Sequence, residues 1–264
     1  MDASTTRRIL RVTGMGRDAA DDRVVVEAPV ELRLRGVPIA VLMRTPGDDA
    51  DLALGFAITE GIVLGPHEVA AVTPAGDPDA GDRWTIELAD GVTVDPEQFR
   101  RNLYTTSSCG VCGKASIDAV RVAAPAPPLG PQVSADLLLS LPSRMRLVQA
   151  EFARTGGLHG AALFDASGGL EASCEDIGRH NAVDKLVGRM ALRRWPLGET
   201  VLVVSGRVSF EMVQKAAVAG IPVICGVSAA SSLAADLGDE LGLTVIGFLR
   251  DGGFNVYAGA HRVS

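Results

Sequence analysis

Three short, unbroken apolar runs, Val201 to Val204, Ile221 to Cys225 and Leu243 to Phe248, alternate with segments at about Val208 to Ala219 and Ser232 to Leu241 whose apolar residues recur at helical spacing. A strand can be apolar along its whole length only where both of its faces are covered. The βαβαβ order therefore calls for a mixed, largely parallel sheet with helices packed on it. In open sheets of this kind ligands bind beyond the carboxyl ends of the strands. Here those ends lead into Ser205-Gly206-Arg207, Gly226 to Ser231, and Arg250-Asp251-Gly252-Gly253. The first two lead on into helix N-termini, whose free N–H groups attract anions, and Arg207 and Arg250 add positive charge.

The remaining chain is organised around this α/β core. Leu158 to Phe164 and Leu170 to Cys174 flank Ser167-Gly168-Gly169 and read as a hairpin, followed by an amphipathic helix from Asn181 to Leu192. Ser143 to Ala153 has helical spacing and stops at Gly156-Gly157. Upstream, four prolines between Ala124 and Pro131 forbid helix or central strand and mark a stiff connector over residues 124–131. Residues 132–264 are thus expected to form the α/β core and residues 23–123 a smaller strand-rich module. In that module Glu31 to Arg35 pairs with Val37 to Met43, and a helix starts at Pro46 to Asp49 and stops at Gly61. Trp84 to Leu88 and Val92 to Val94 flank Asp90-Gly91, a hairpin signal. Residues 1–22, with arginines and aspartates scattered among few apolar residues, are expected to be a disordered tail.

Composition narrows the function. Aromatic residues make up only 4% and the net charge is −7, so neither stacking platforms nor a basic surface for nucleic acid is expected. The Arg7-Arg8 pair is followed by more charge rather than by an apolar stretch, unlike an export signal. No run approaches the roughly 18 to 20 apolar residues needed to cross a bilayer. Four cysteines, two of them isolated in apolar surroundings, do not form a secreted disulfide framework, and a reducing cytoplasm is the expected location.

The other two cysteines lie in Thr105-Thr106-Ser107-Ser108-Cys109-Gly110-Val111-Cys112-Gly113-Lys114, a segment too small and polar to be packed core. A C-x-x-C pair can hold half a zinc site, close a redox disulfide, or supply a nucleophile with a helper. Zinc-dependent deaminases add an H-x-E element, which this sequence lacks, and the place of the proline before the first cysteine is held by Ser108. A thioredoxin-like motif sits just after an early strand of a βαβ unit, whereas this one follows a polar loop. Thiolate nucleophilicity is the chemistry the context favours, with Gly110 and Gly113 allowing movement and Lys114 favouring the anion. Cys174 and Cys225 read as buried small hydrophobes. Glu175 to Lys185 is the densest polar run; in it Asp176 or Asn181 could cap a helix while Asp184 and Lys185 stay solvated. Alternatively, Arg179 could pair with phosphate and His180 could donate a proton or a hydrogen bond. His159 and His261 stand alone and read as structural.

These stretches, with Pro46 to Gly61, Ser205 through Lys215, Phe248-x-Arg250 and Asn255-x-Tyr257, closely resemble the formate dehydrogenase accessory sulfurtransferase family, FdhD. The resemblance implies a cytidine-deaminase-like core without the deaminase chemistry, and usually a homodimer. It implies a cytoplasmic sulfur carrier that receives sulfur from a cysteine desulfurase. The sulfur then passes to the molybdenum bis(guanine dinucleotide) cofactor bound for formate dehydrogenase. Cys109 matches the persulfide-bearing cysteine and Cys112 its assistant, with no intrinsic metal. Phe248, Leu249, Arg250, Asp251, Gly252 and Gly253 match the segment associated with the cofactor, and Ser205, Gly206, Arg207 and His180 are expected to share in holding it. The rival expectation is a non-catalytic chaperone that holds the cofactor for the apo-enzyme; a zinc hydrolase is a third.

Overall fold

The computed structural model of the chain describes residues 2–75, 82–96 and 129–264. Its architecture is mixed α/β, with a six-stranded sheet in the C-terminal part and a strand-rich N-terminal part. The chain opens with β1 (Ser4–Thr13) and β2 (Gly16–Val25), an antiparallel hairpin. Next come β3 (Ala28–Leu34), β4 (Val37–Arg44), α1 (Asp49–Thr59), β5 (Val69–Pro74) and β6 (Arg83–Leu88). Strands β3 to β6 form a four-stranded sheet in the order β4-β3-β6-β5. A two-residue turn joins β3 to β4, with Arg35 and Gly36 both at positive φ (49° and 80°), as the right-handed twist of a tight hairpin requires.

The second part runs α2 (Ala135–Leu147), α3 (Ala150–Thr155), β7 (His159–Asp165), β8 (Leu170–Asp176), α4 (Arg179–Ala191), β9 (Thr200–Val204), α5 (Phe210–Val218), β10 (Val223–Gly226), α6 (Ser232–Leu241), β11 (Thr244–Arg250) and β12 (Gly253–Ala258). Strand order is β12-β11-β10-β9-β7-β8. The three strands of the βαβαβ unit are parallel at the centre; the antiparallel β7-β8 hairpin flanks β9 on one side and the single antiparallel strand β12 flanks β11 on the other. Along β9 the side chains alternate between two cores. Val201 and Val203 join Leu138, Leu141 and Met145 of α2, while Leu202 and Val204 face the helices on the other side. That second core is continuous with Leu32, Leu52 and Ile86 of the N-terminal part. It is joined by the crossing of α1 and α4, where glycines bring backbone against backbone. A Cβ on Gly55 would lie 1.8 Å from the Asp184 carbonyl oxygen, and one on Gly188 would lie 2.0 Å from that of Asp51.

Three expectations require correction. Residues 1–22 are not a disordered tail, because residues 4–25 form the β1-β2 hairpin. The scattered charges fall opposite each other in its register, Arg7 with Asp22, Arg8 with Asp21 and Arg11 with Asp18, and opposite charges across a strand pair favour it. The hairpin expected across Asp90-Gly91 is also absent. Both edges of β6 are already taken, by β3 in parallel and β5 in antiparallel, leaving no place for Val92 to Val94. Finally, the helix expected from Ser143 begins at Ala135, capped by the Ser134 hydroxyl on the Leu137 N–H, and carries Pro142 in its interior before breaking ahead of α3.

Candidate functional site

The loops beyond β9, β10 and β11 meet. Val208 donates to Ala229 and Ser231 donates to Val208, each at 3.0 Å, closing a short parallel bridge between the first two loops. The Phe248 N–H donates to the Ser228 carbonyl at 2.8 Å, tying the third element to the second. Strand β7 runs antiparallel to β9, so its first residues lie beside the carboxyl end of β9. There Gly160 donates to Ser205 Oγ, and Ser205 N–H donates back to the Gly160 carbonyl, both at 2.9 Å. This places His159 next to Ser205-Gly206.

At the end of β11 the alternation of the strand breaks. Gly247 pairs with Asn255 and Arg250 with Gly253, so three residue steps face two, and the extra residue is absorbed at Phe248 with φ 54°. For an aromatic residue the left-handed region costs roughly 1–3 kcal/mol. The result is that Phe248 points outward, 39% exposed, while Leu249 is fully buried. Leu249 thus anchors the turn in the core and offers no surface to a ligand. The exposed Arg250 guanidinium lies 5.8 Å from the Phe248 ring centroid, and its Nε donates to the Val227 carbonyl at 3.2 Å. Asp251 and Gly252 form the exposed turn into Gly253, and Arg207 is likewise exposed.

The first turn of α4 contributes His180, nearly buried, with Nε2 3.6 Å from the Glu211 carboxylate at the start of α5. Ser209 Oγ donates to the same Glu211 oxygen at 2.8 Å. Burial works against the charged form of Glu211, but the neighbouring His180 and the hydrogen bond from Ser209 outweigh it and hold the carboxyl down to about 2. His159 is shifted the other way for a base. Burial first, then the neighbouring Arg179 and His180, lower its pKa, with Asp176 opposing. The Nε of Arg179 is buried without a hydrogen-bond partner among the described residues. His159, Glu211 and Ser209 were not picked out by sequence reasoning. Glu211 lies inside the Ser205 to Lys215 stretch, but His159 joins the site only through strand order, which no local pattern encodes.

Asp184 and Lys185 are not solvated. Lys185 Nζ meets Asp176 at 2.8 Å and donates to the Thr45 carbonyl at 2.8 Å. Asp176 in turn accepts from the backbone N–H groups of Gly178 and Thr45. One residue earlier, Asp184 accepts from Lys215 Nζ at 2.9 and 3.1 Å, and the same ammonium reaches Thr59 and Glu60. Burial opposes the charge on Lys215, but Asp184 and Glu60 raise its pKa, so it stays an ammonium. This part of the polar run is a brace between the two parts of the fold.

Cys174 and Cys225 are buried, as expected for small hydrophobes. Burial pushes the Cys174 thiol up to about 12 and raises that of Cys225 as well, so neither is a thiolate at neutral pH. Cys109 and Cys112 lie outside the described residues. Among the described residues no group of three or more His, Cys, Asp or Glu is arranged to hold a metal ion. No helix of the described residues is long and apolar enough to cross a membrane.

Comparison with known proteins decides the kinship. The FdhD/NarQ family model matches residues 25–264, nearly the whole chain. The chain belongs to the FdhD/NarQ family. The sulfur carrier protein FdhD of Streptomyces avermitilis is 48% identical, over 98% of this chain and 95% of that protein. The protein of the same name from Mycobacterium tuberculosis is 46% identical over 99% of each. The crystal structure of a candidate formate dehydrogenase accessory protein from Desulfotalea psychrophila superposes with a TM-score of 0.78 over all of both chains, at 22% identity, and so shares the fold. The family model starts at the last residue of β2, so the opening hairpin of this FdhD/NarQ chain stands outside it.

Proposed function

We propose that this chain is a sulfur carrier that takes sulfur from a cysteine desulfurase onto Cys109 and delivers it to the molybdenum bis(guanine dinucleotide) cofactor of a formate dehydrogenase. The observation that carries the reading is the end-to-end similarity, at 44 to 48% identity, to relatives named sulfur carrier protein FdhD. The thiol pair Cys109-Gly110-Val111-Cys112 supports it chemically, since it is the one C-x-x-C in the sequence and the two remaining cysteines are buried thiols.

In the proposed loading step the Cys109 thiolate attacks the outer sulfur of the donor persulfide. The donor S–S bond breaks, the donor cysteine leaves as thiolate with the electron pair, and Cys109 becomes the persulfide. Attack by the Cys112 thiolate on Cys109 Sγ then closes a disulfide and releases the outer sulfur with the electron pair as hydrosulfide, after it takes up a proton. A thiol reductant restores the pair. The cofactor, as the substrate, would be received where Ser205, Gly206, Arg207 and His180 meet the Phe248 to Gly253 turn, with Arg207 and Arg250 neutralising pyrophosphate. That answers how a chain of net charge −7 holds an anion. The protein would work in the cytoplasm as a homodimer.

The test is intact mass after incubation with desulfurase and cysteine. One added sulfur on the wild type, absent from Cys109→Ala, is the expected result. Full loading of the alanine variant would remove Cys109 from the role.

A further inference from the structure

We propose that His159, Arg179 and Gly206 together form a seat for the anionic outer sulfur of a persulfide, at the edge of the loops proposed to receive the cofactor. The inference rests on the sulfur-carrier reading and adds to it a place where the transferred atom is held. Gly206 is the first sign. Its φ is not in the left-handed region, and an added Cβ would meet nothing nearer than 3.7 Å. Neither turn geometry nor packing within the described residues calls for glycine there. What the missing side chain leaves is bare backbone open to close approach. The groups nearest that point are His159 Nδ1 at 3.7 Å and Arg179 Cδ at 3.9 Å.

The second sign is the state of those groups. Among the described residues, buried Arg179 Nε has no hydrogen-bond partner, a donor left unused on a permanent cation. The His159 ring has no hydrogen-bond partner among the described residues, and burial beside Arg179 and His180 keeps it neutral at neutral pH. It can thus donate one N–H without adding a second charge. The nearby carboxylates are already engaged. Asp176 is tied to Lys185, Gly178 and Asn181, and Glu211 to His180 and Ser209. Among the described residues, Arg179 is therefore a cation without a counter-ion of its own beside a neutral donor. That combination suits one soft anionic atom, the outer sulfur of R–S–S⁻, which is deprotonated more readily than a thiol. It would also stabilise hydrosulfide as the S–S bond breaks.

Phosphate shares the anionic chemistry, and the experiment separates the two. In a Cys109→Ala/Cys112→Ala chain, where no sulfur exchange at Cys109 or Cys112 can occur, ¹⁵N-histidine NMR follows the His159 ring during titration with thiosulfate, which carries a terminal anionic sulfur, and in parallel with sulfate and inorganic phosphate. Thiosulfate is expected to shift the His159 signals at concentrations roughly tenfold lower than the other two. Gly206→Ala and Arg179→Gln are each expected to weaken it by roughly tenfold or more, the loss of close approach or of one charge-assisted hydrogen bond. A methyl at Gly206 would meet nothing nearer than 3.7 Å, so Gly206→Ala is expected to keep the fold and a loss there to come from the seat. Phosphate binding as tightly as thiosulfate, or no shift with any of the three, overturns the inference. Separately, Arg179→Gln in the otherwise native chain should still load sulfur on Cys109 but release it more slowly; loading with an unchanged release rate overturns the seat, while failure of the wild type to load sinks the carrier reading instead.

Discussion

At the scale of single residues, Glu211 shows how local partners set a charge. Its carboxyl is held at about 2 against an ordinary 4.5, because nearby His180 and the hydrogen bond from Ser209 outweigh burial. A depressed carboxyl contributes stability that is fully present above the unfolded pKa and is lost as pH falls through the folded one. The window is therefore from about pH 4.5 down to about 2, and for a half-buried carboxylate partly screened by solvent the contribution is on the order of 1 kcal/mol. Glu211→Gln is expected to lower stability by up to that amount at pH 7 and to flatten the loss between pH 4.5 and 2. Urea unfolding at pH 7, 4 and 3 measures it; parallel curves for the two proteins would show that the His180 contact contributes nothing.

Among the elements, the brace between α1, α4 and α5 turns on Lys215, whose ammonium touches Thr59, Glu60 and Asp184 away from water. Removing one partner of a buried pair strands the other, at about 3–5 kcal/mol. Asp184→Ala should fall in that range by chemical denaturation, whereas the joint change Asp184→Leu/Lys215→Met should recover most of the loss. No recovery would mean that the charges do more than balance each other. The same region shows what the sequence reveals and what it hides. The strands β9, β10 and β11 and helices α4, α5 and α6 were legible, because continuous apolar runs and helical spacing report local burial directly. Asp184 and Lys185 were not, since a charged residue on an amphipathic helix looks solvated until its partner from a distant segment is known. His159 was hidden for a similar reason, as only the antiparallel placement of β7 beside β9 brings it to Ser205. The opening hairpin was missed because charges that pair across a ladder look, in one dimension, like the composition of a tail. Pro142 concealed the first half of α2, although the Ser134 cap was a fair signal of its start.

For the molecule as a whole, the crossing of α1 and α4 decides whether the two parts behave as one. The second hydrophobic core runs through both, and the crossing at Gly55 and Gly188 lies within it. Gly55→Ala would force a methyl to within 1.8 Å of a backbone oxygen, so the helices must separate. The expected cost exceeds about 3 kcal/mol, well beyond an ordinary substitution. Because that core is shared, the variant should unfold in one transition by circular dichroism and by tryptophan fluorescence, with Trp84 and Trp195 reporting from either part. Two separated transitions would show that the parts are independent.

A joint made of main chain has no adjustable piece. Where side chains meet, a larger residue on one helix can be offset by a smaller one opposite, but here neither partner has anything left to trim. Gly55→Ala and Gly188→Ala combined should therefore be at least as damaging as the worse single change. The spacing of these two helices is fixed by the thickness of a polypeptide backbone, the one dimension of a protein that substitution cannot alter.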